Sequence, residues 1–416
     1  MNCDTWQKLY QDIRSPQLNP AVVGFNVNLD RIITVTPALL QSPLLTRPDL
    51  FELRSRLLHS MQTCTAEEWF VTDRSLYQQF TRVFSDSGSL AIGGQAGIAA
   101  VHLSSIGVPD VLCITHSAGP ETGRILINAG VNVLDINPKR TDPLDSIHLV
   151  FEYPPGLVPV AEGVVPRNNR FIASPACDPE SALIPRDSGD AVVSRVSLYT
   201  RAFLSGYQYL LHAREFARAA DQILRIKKNT TRMRVHIECV SVTDDAVIEG
   251  FARYILPAAD SIGLNEHELL LLLHHLCPQD PSYGIPENLS PVQLVKGALL
   301  VCRKSGLRRL HLHTFGYYVL VLRNDCAHPD VSLNALLFAS LTTARAAQGS
   351  STDISPVGIG ALKQVEDAFG PPRSPGIFLV DTHTVIVIPT IIAHTITKSS
   401  GLGDILSSTA FVADQF

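Results

Sequence analysis

No CxxC pair occurs in these 416 residues; the eight cysteines stand apart at positions 3, 64, 113, 177, 239, 277, 302 and 326. That scatter argues against a disulfide framework and against a structural zinc site. Long apolar runs are missing too. Stretches such as 317–322 and 377–380 fall far short of the ~20 residues that a bilayer requires. The opening Met1-Asn2-Cys3-Asp4-Thr5-Trp6-Gln7-Lys8 has acids and amides where a signal peptide is apolar, so a soluble cytoplasmic chain is expected. Nor is there an excess of basic charge: 34 Lys and Arg against 39 Asp and Glu leave a net charge of −5 and a pI near 6.3. Binding to nucleic acid through bulk charge is thereby excluded, and a membrane surface is no better a partner. The Walker A and GxGxxG patterns are both absent, which removes the P-loop NTPases and the dinucleotide fingerprint. No internal repeat or low-complexity segment is present.

What the chain does have is core material. Hydrophobic residues make up 45% and charged residues 18%, too apolar a mixture for a disordered chain. Short β-branched runs alternate with helical periodicity, the pattern of an α/β fold with a mostly parallel sheet. Strands are expected at 21–26, 111–115, 205–211, 234–240, 310–313 and 377–380. Helices are expected at 97–106, 121–129, 213–227, 243–256, 291–305 and 333–348, each with apolar residues three and four apart. Two regions break the rhythm. Residues 31–90 carry helices and polar loops, and 140–178 contain two extended segments, 146–153 and 169–173. Together these two regions, 31–90 and 140–178, are expected to form a small lid inserted into a large domain made of 1–30, 91–139 and 179–416. Proline and glycine clusters at 278–286 and 370–376 mark surface loops.

Several short motifs carry chemistry. Gly401-Leu402-Gly403-Asp404 precedes a helix-like start. Its glycines let the backbone turn tightly and present N–H groups to one point, and the helix adds its positive end. An aspartate in such an anion cradle is placed to take a proton from an attacking hydroxyl during phosphoryl transfer. The same tetrapeptide also reads as an ordinary helix cap. Gly93-Gly94-Gln95-Ala96-Gly97 opens a helix where a ligand can approach the backbone and Gln95 can meet a polyol, or where strand and helix simply pack closely. Asn26, Asn28 and Asp30 alternate onto one face after the first strand, suited to sugar hydroxyls or to an Asx turn. His236 and Glu238 share a face of an apolar strand; Asn265 and Glu268 lie one helical turn apart. Oxygen ligands on separate elements suit Mg²⁺ held through its waters, although early acids also simply open helices. His311-Leu312-His313 and His274-His275 lack a third metal ligand at sensible spacing and read as structural or surface groups.

The order of these motifs resembles the ADP-dependent sugar kinases, the ADP-specific glucokinases and phosphofructokinases of the ribokinase-like superfamily. The resemblance runs from about Val22 to the C-terminus. It rests on the Asn-x-Asp strand, GGQAG, the HIE strand, SIGLNEHEL (261–269), HTFGYY (313–318) and GLGD, with further likeness at 146–153 and 166–172. It implies a ribokinase-like three-layer α/β/α large domain with a small α+β lid. It also implies transfer of the β-phosphoryl of Mg-ADP to a hexose hydroxyl, releasing AMP, within a modified glycolysis. On this likeness Asp404 is the general base, and Gly401, Leu402 and Gly403 lend N–H groups. Glu238, Glu268 and Asn265 organise Mg²⁺ with Asp404. Asn28, Asp30, Gly94, Gln95 and His148 meet sugar hydroxyls, Glu68 matches a lid glutamate that recognises glucose, and Arg167 and Arg170 reach phosphate. The acceptor is glucose, fructose 6-phosphate or both, and the enzyme a monomer or small homo-oligomer. One departure is Ile405, which follows GLGD where relatives commonly carry threonine. Two other readings stay open: an ATP-dependent ribokinase-like sugar or nucleoside kinase, and a non-catalytic sugar-binding relative. Nucleotide preference separates the first from the ADP-dependent reading. Loss of Asp404, Glu238 or Glu268 would mark the second, and all three are present.

Overall fold

Strands buried on both faces need no alternation of polar residues, and the apolar runs of this chain supply them. The computed structural model describes residues 3–392 and 401–416, apart from 66, 117, 137–146, 159–163, 177–178, 186–188, 229–231, 241, 243, 279–288, 327 and 349–352. The described strands are β1 (Ala21–Gly24), β2 (Asn28–Thr34), β3 (Glu67–Val71), β4 (Ser89–Gly93), β5 (Val111–Thr115), β6 (Asn132–Asp135), β7 (Ile147–Tyr153) and β8 (Asn169–Pro175). They continue with β9 (Arg201–Leu204), β10 (Arg234–Glu238), β11 (Ser261–Leu264), β12 (Arg309–His313), β13 (Tyr317–Arg323), β14 (Ile377–Val380) and β15 (His383–Pro389). Ten of them form one sheet in the order β14-β15-β13-β12-β11-β10-β9-β1-β5-β6. From β12 to β6 every neighbour is parallel; β13, β15 and β14 add an antiparallel edge. Every residue of β5, β9, β11 and β15 is buried, which requires cover on both faces of this sheet.

Helices Gln95–Ser105, Pro329–Gln348 and Leu402–Ala413 pack together over one part of the sheet. Glu266–Leu276, Pro291–Ser305 and Pro356–Phe369 form a second packed group. Local chemistry starts and stops these helices: Ser290 closes a capping box with Gln293, and Gly306 ends the same helix at φ +73°.

The second sheet has five strands, β3-β8-β7-β2-β4. One face carries Leu149, Phe151, Phe171 and Ala173. Against these pack Leu53, Leu57 and Met61 of the helix Phe51–Thr63, with Tyr77 and Phe80 of Arg74–Val83, in a core separate from that of the large sheet. Each fully buried side chain of this size stabilises by about 1.5–3 kcal/mol. The opposite face is mixed: Asp30, His148, Glu152, Arg170, Ser174 and Glu68 stand there among Ile32, Val150, Ile172 and Phe70.

The structure departs from expectation at several elements. The strand expected at 205–211 lies earlier, at β9, and Tyr207–Tyr209 is a turn of 3₁₀-helix. Gly206, at φ +98°, turns the chain there, and Tyr207 and Leu210 are apolar because they fill the core. Residues 31–90 hold strands as well as helices. The helix expected from 97 begins at Gln95. That expected at 243–256 starts at Asp245 behind an Asp244 cap and runs through a π-helical turn, Phe251–Ile255, to Ala258. Thr243, most of the loop 278–286 and part of 140–178 lie outside the described residues.

Candidate active site

The parallel register of three central strands fixes the first half of the site. It sets His236 beside Ser261 and Ser261 beside Arg309, and on the next row Glu238 beside Gly263 and Gly263 beside His311. The helix Leu402–Ala413 lies across this face, and Ser407 enters the row left open by Gly263. A Cβ on Gly263 would stand 2.1 Å from Glu238 Oε2 and 2.3 Å from Ser407 Oγ. Only glycine admits both groups.

The N-terminus of that helix is the expected turn. Gly401 caps it at φ +74°, in the left-handed region, and Asp404 sits in the first turn. Leu402, Gly403 and Asp404 therefore start a helix whose first N–H groups have no intrahelical partner. Residues 393–400, which lead into this turn, lie outside the described residues.

Carboxylates gather beside this turn. Glu238 is 4% exposed. Burial, and then the charges of Asp404 and Glu268, push its pKa well above the ordinary 4.5; the Ser407 hydrogen bond and Arg309 offset this only in part. Glu238 and Glu268 line one cleft together with Cys239, Val247 and Phe251. Asn265 serves as a cap: its Oδ1 accepts from Glu268 N at 2.9 Å, while Glu268 Oε2 accepts from Asn265 N at 2.8 Å. The helix-start reading of this pair is thus realised, and the Asn265 amide is engaged by its own helix. Among the described residues no three His, Cys, Asp or Glu side chains converge as direct ligands of one metal ion.

The second half of the site lies on the mixed face of the small sheet. Asp30 pairs with His148 and with Ala91, and Asn28 pairs with Gly93. Asn28 Nδ2 donates to Asp30 Oδ1 at 2.6 Å. Side chains on the following glycines would collide with both: a Cβ at Gly93 would stand 2.1 Å from Asp30 Oδ1, and one at Gly94 2.6 Å from Asn28 Oδ1. Further along the same face, Ser174 Oγ donates to Glu68 Oε1 at 2.6 Å and meets His148 Nδ1 at 3.0 Å. Burial holds the His148 pKa below 6.5, and Glu68 only partly opposes it. Arg170 stands on β8 four residues before Ser174, roughly 13 Å away at strand rise, and Arg167 is exposed in the preceding loop.

Gln95 joins the halves. It opens the helix beside Gly94, and its Nε2 donates to the carbonyl of Cys239, the residue after Glu238, at 3.0 Å. Its Oε1 is buried without a hydrogen-bond partner. Ile98, one turn on, packs against the space above Gly401. Phe70 of β3 meets the ring of Tyr209 edge-on at 6.1 Å, a direct contact from the small sheet to the large unit. His311 is buried and His313 half-buried, and His313 borders Gly403. Sequence reasoning passed over Ser174 and Ser407, because nothing in their spacing distinguishes them from other serines, and it noted Ser261 only as part of the 261–269 motif.

A helix N-terminus bearing an aspartate, carboxylates beside it and a facing small sheet suit an α/β phosphotransferase acting on a hydroxyl acceptor. Residues 19–413 match the ADP-specific Phosphofructokinase/Glucokinase conserved region, and the chain belongs to that family. It is 28% identical to an ADP-dependent glucose/glucosamine kinase of Pyrococcus furiosus, over 99% of this chain and 98% of that one. It is 23% identical to an ADP-specific phosphofructokinase of the same organism, over 94% and 95%. An ADP-dependent kinase solved with fructose-6-phosphate and ADPβS superposes with a TM-score of 0.81 at 23% identity, covering 99% of this chain and 98% of that one. This is an ADP-dependent hexose kinase.

Proposed function

We propose that glucose, or a glucose-like sugar without a phosphate, is the preferred acceptor, and that fructose 6-phosphate is used less well. The observation that carries this is the Glu68–Ser174–His148 cluster. Ser174 gives its one proton to Glu68, so His148 Nδ1–H donates to Ser174 and His148 Nε2 remains an acceptor. Glu68, Asp30 and His148 then present acceptors to a ligand rich in hydroxyl donors. A sugar phosphate would need cations on this face, and Arg170 stands far along the strand.

Asp404 takes the proton of the attacking hydroxyl, while the N–H groups of Leu402 and Gly403 hold the transferred phosphoryl. The small sheet acts as a lid whose closure excludes water. A divalent cation fits this site: hard carboxylate oxygens gather where burial and mutual repulsion already disfavour their charges. Glu238 and Glu268 would hold it, largely through water, and Asn265 would act by fixing Glu268. When bound, Mg²⁺ neutralises charge on the nucleotide phosphates.

The test is AMP release from Mg-ADP with glucose or fructose 6-phosphate, with ATP in a parallel set. Expected is ADP-dependent turnover with kcat/KM at least tenfold higher for glucose; a preference for fructose 6-phosphate would overturn the acceptor assignment, and turnover with ATP alone the donor. Asp404→Asn should retain nucleotide binding and lose about 10²–10⁴-fold in kcat. Retention of more than a tenth of wild-type turnover would contradict its role as base.

A further inference from the structure

Behind Glu238 runs a chain of buried polar groups that the reaction as described does not use. Ser332 Oγ donates to Asp414 Oδ1 at 2.7 Å, and Arg309 Nε donates to Asp414 Oδ2 at 3.1 Å. Arg309 Nη1 donates to Ser261 Oγ at 3.1 Å. Ser261 Oγ lies 2.7 Å from His236 Nδ1, and His236 Nε2 lies 3.0 Å from both Glu238 Oε2 and Ser407 Oγ. Ser332, Arg309, Ser261, His236 and Asp414 are all fully buried.

The direction of each bond follows from proton counting. A guanidinium only donates, so Ser261 Oγ is an acceptor toward Arg309. Its own proton then goes to His236 Nδ1, which must be the bare nitrogen of the ring. The ring proton is left on Nε2, aimed at the Glu238 carboxylate. Ser407 donates to the same carboxylate from the helix that carries Asp404. Phe203 stacks on the imidazole at 5.2 Å and Phe411 lies against it at 5.0 Å, which removes rotational freedom from the ring.

We propose that His236 is a positioning residue, held in the Nε2–H tautomer by Arg309 through Ser261, that fixes the Glu238 carboxylate for its divalent cation. The inference rests on the reading of Glu238 as a cation-holding group. It gives the Arg309–Asp414 pair a purpose: it orients the proton chain along the face of the sheet that the helix covers. Groups that orient a metal-holding side chain typically contribute 10–100-fold to metal affinity or activity.

The experiment measures Mn²⁺ binding to the full-length protein by electron paramagnetic resonance, without nucleotide or sugar, and kcat against Mg²⁺ concentration. His236→Gln keeps an N–H donor at nearly the reach of Nε2, whereas His236→Leu removes it. Ser261→Ala keeps the ring but frees its tautomer with little change in volume, and serves should His236→Leu fail to fold. Expected is Mn²⁺ affinity weakened at least tenfold in His236→Leu and in Ser261→Ala, with substantial recovery in His236→Gln and nucleotide KM little changed. Glu238→Gln is the control for the underlying reading. Weak Mn²⁺ binding in Glu238→Gln together with wild-type binding in folded His236→Leu or Ser261→Ala would overturn the relay alone. Wild-type Mn²⁺ binding in Glu238→Gln would remove the cation reading, and the relay with it.

Discussion

Ser174 offers a single proton to two neighbours, and which one receives it sets what the sugar face can bind. With the proton on Glu68, the carboxylate is held in place and His148 is turned to accept from the ligand. Ser174→Ala should therefore raise KM for glucose about fivefold to tenfold, in line with ~1 kcal/mol for one hydrogen bond, and leave kcat and nucleotide KM nearly unchanged. Steady-state kinetics with glucose as the varied substrate checks this; an equal fall in kcat would point to a misplaced reacting hydroxyl. Acids in recognisable settings were legible before folding: Asp404 after two glycines, Glu238 at the end of an apolar strand. Ser174 and Ser261 were not, because a serine acquires its role only from the strand register that gives it neighbours. Asn265 and Glu268 were legible as a pair but with two uses, and the capping geometry assigns Asn265 to the helix.

The helix Leu402–Ala413 owes its position to an absent side chain. Gly263 lets Ser407 and Glu238 share one space above β11. In Gly263→Ala the new methyl forces the helix, the carboxylate or both to move. Overpacking of this kind costs about 1–3 kcal/mol, and displacement of the acids should lower kcat at least a hundredfold. Thermal unfolding and turnover measured together test this; full activity with a normal melting temperature would show that the row is looser than described. Among the elements, β5 was legible from its unbroken apolar run, and β10 and β12 from apolar residues at every second position. β9 was misplaced by a few residues because Tyr207 and Leu210 are equally apolar in a turn. The strands of the second sheet inside 31–90 escaped notice: their mixed face serves the site, so neither a continuous apolar run nor a clean solvent-facing alternation marks them.

At the scale of the molecule, five histidines shape the response to acid. His148, His236, His311, His313 and His383 are all held below the ordinary 6.5, chiefly by loss of solvent, His313 at about 4. As pH falls below 6.5 the unfolded chain takes up protons that the folded chain refuses. Stability therefore falls as pH drops from about 6.5 toward 4, by up to ~1.4 kcal/mol per unit for each such histidine. Glu238 and Glu266, whose pKa values burial raises, work in the opposite sense over part of this window, two groups against five. The melting temperature should fall steadily between pH 7 and pH 5, and a flat profile would refute this account. Each sheet has its own core, and β2 runs through the boundary expected at residue 30.

Gln95 reaches from the glycines under Asn28 and Asp30 to the carbonyl that follows Glu238. If a sugar bound at these glycines turned this amide, the backbone beside the acids would shift with it, and occupancy of the acids would restrain the amide in return. Thermodynamic reciprocity then makes each ligand alter the affinity of the other by the same factor, whichever arrives first. The order of substrate addition becomes a question of rates alone.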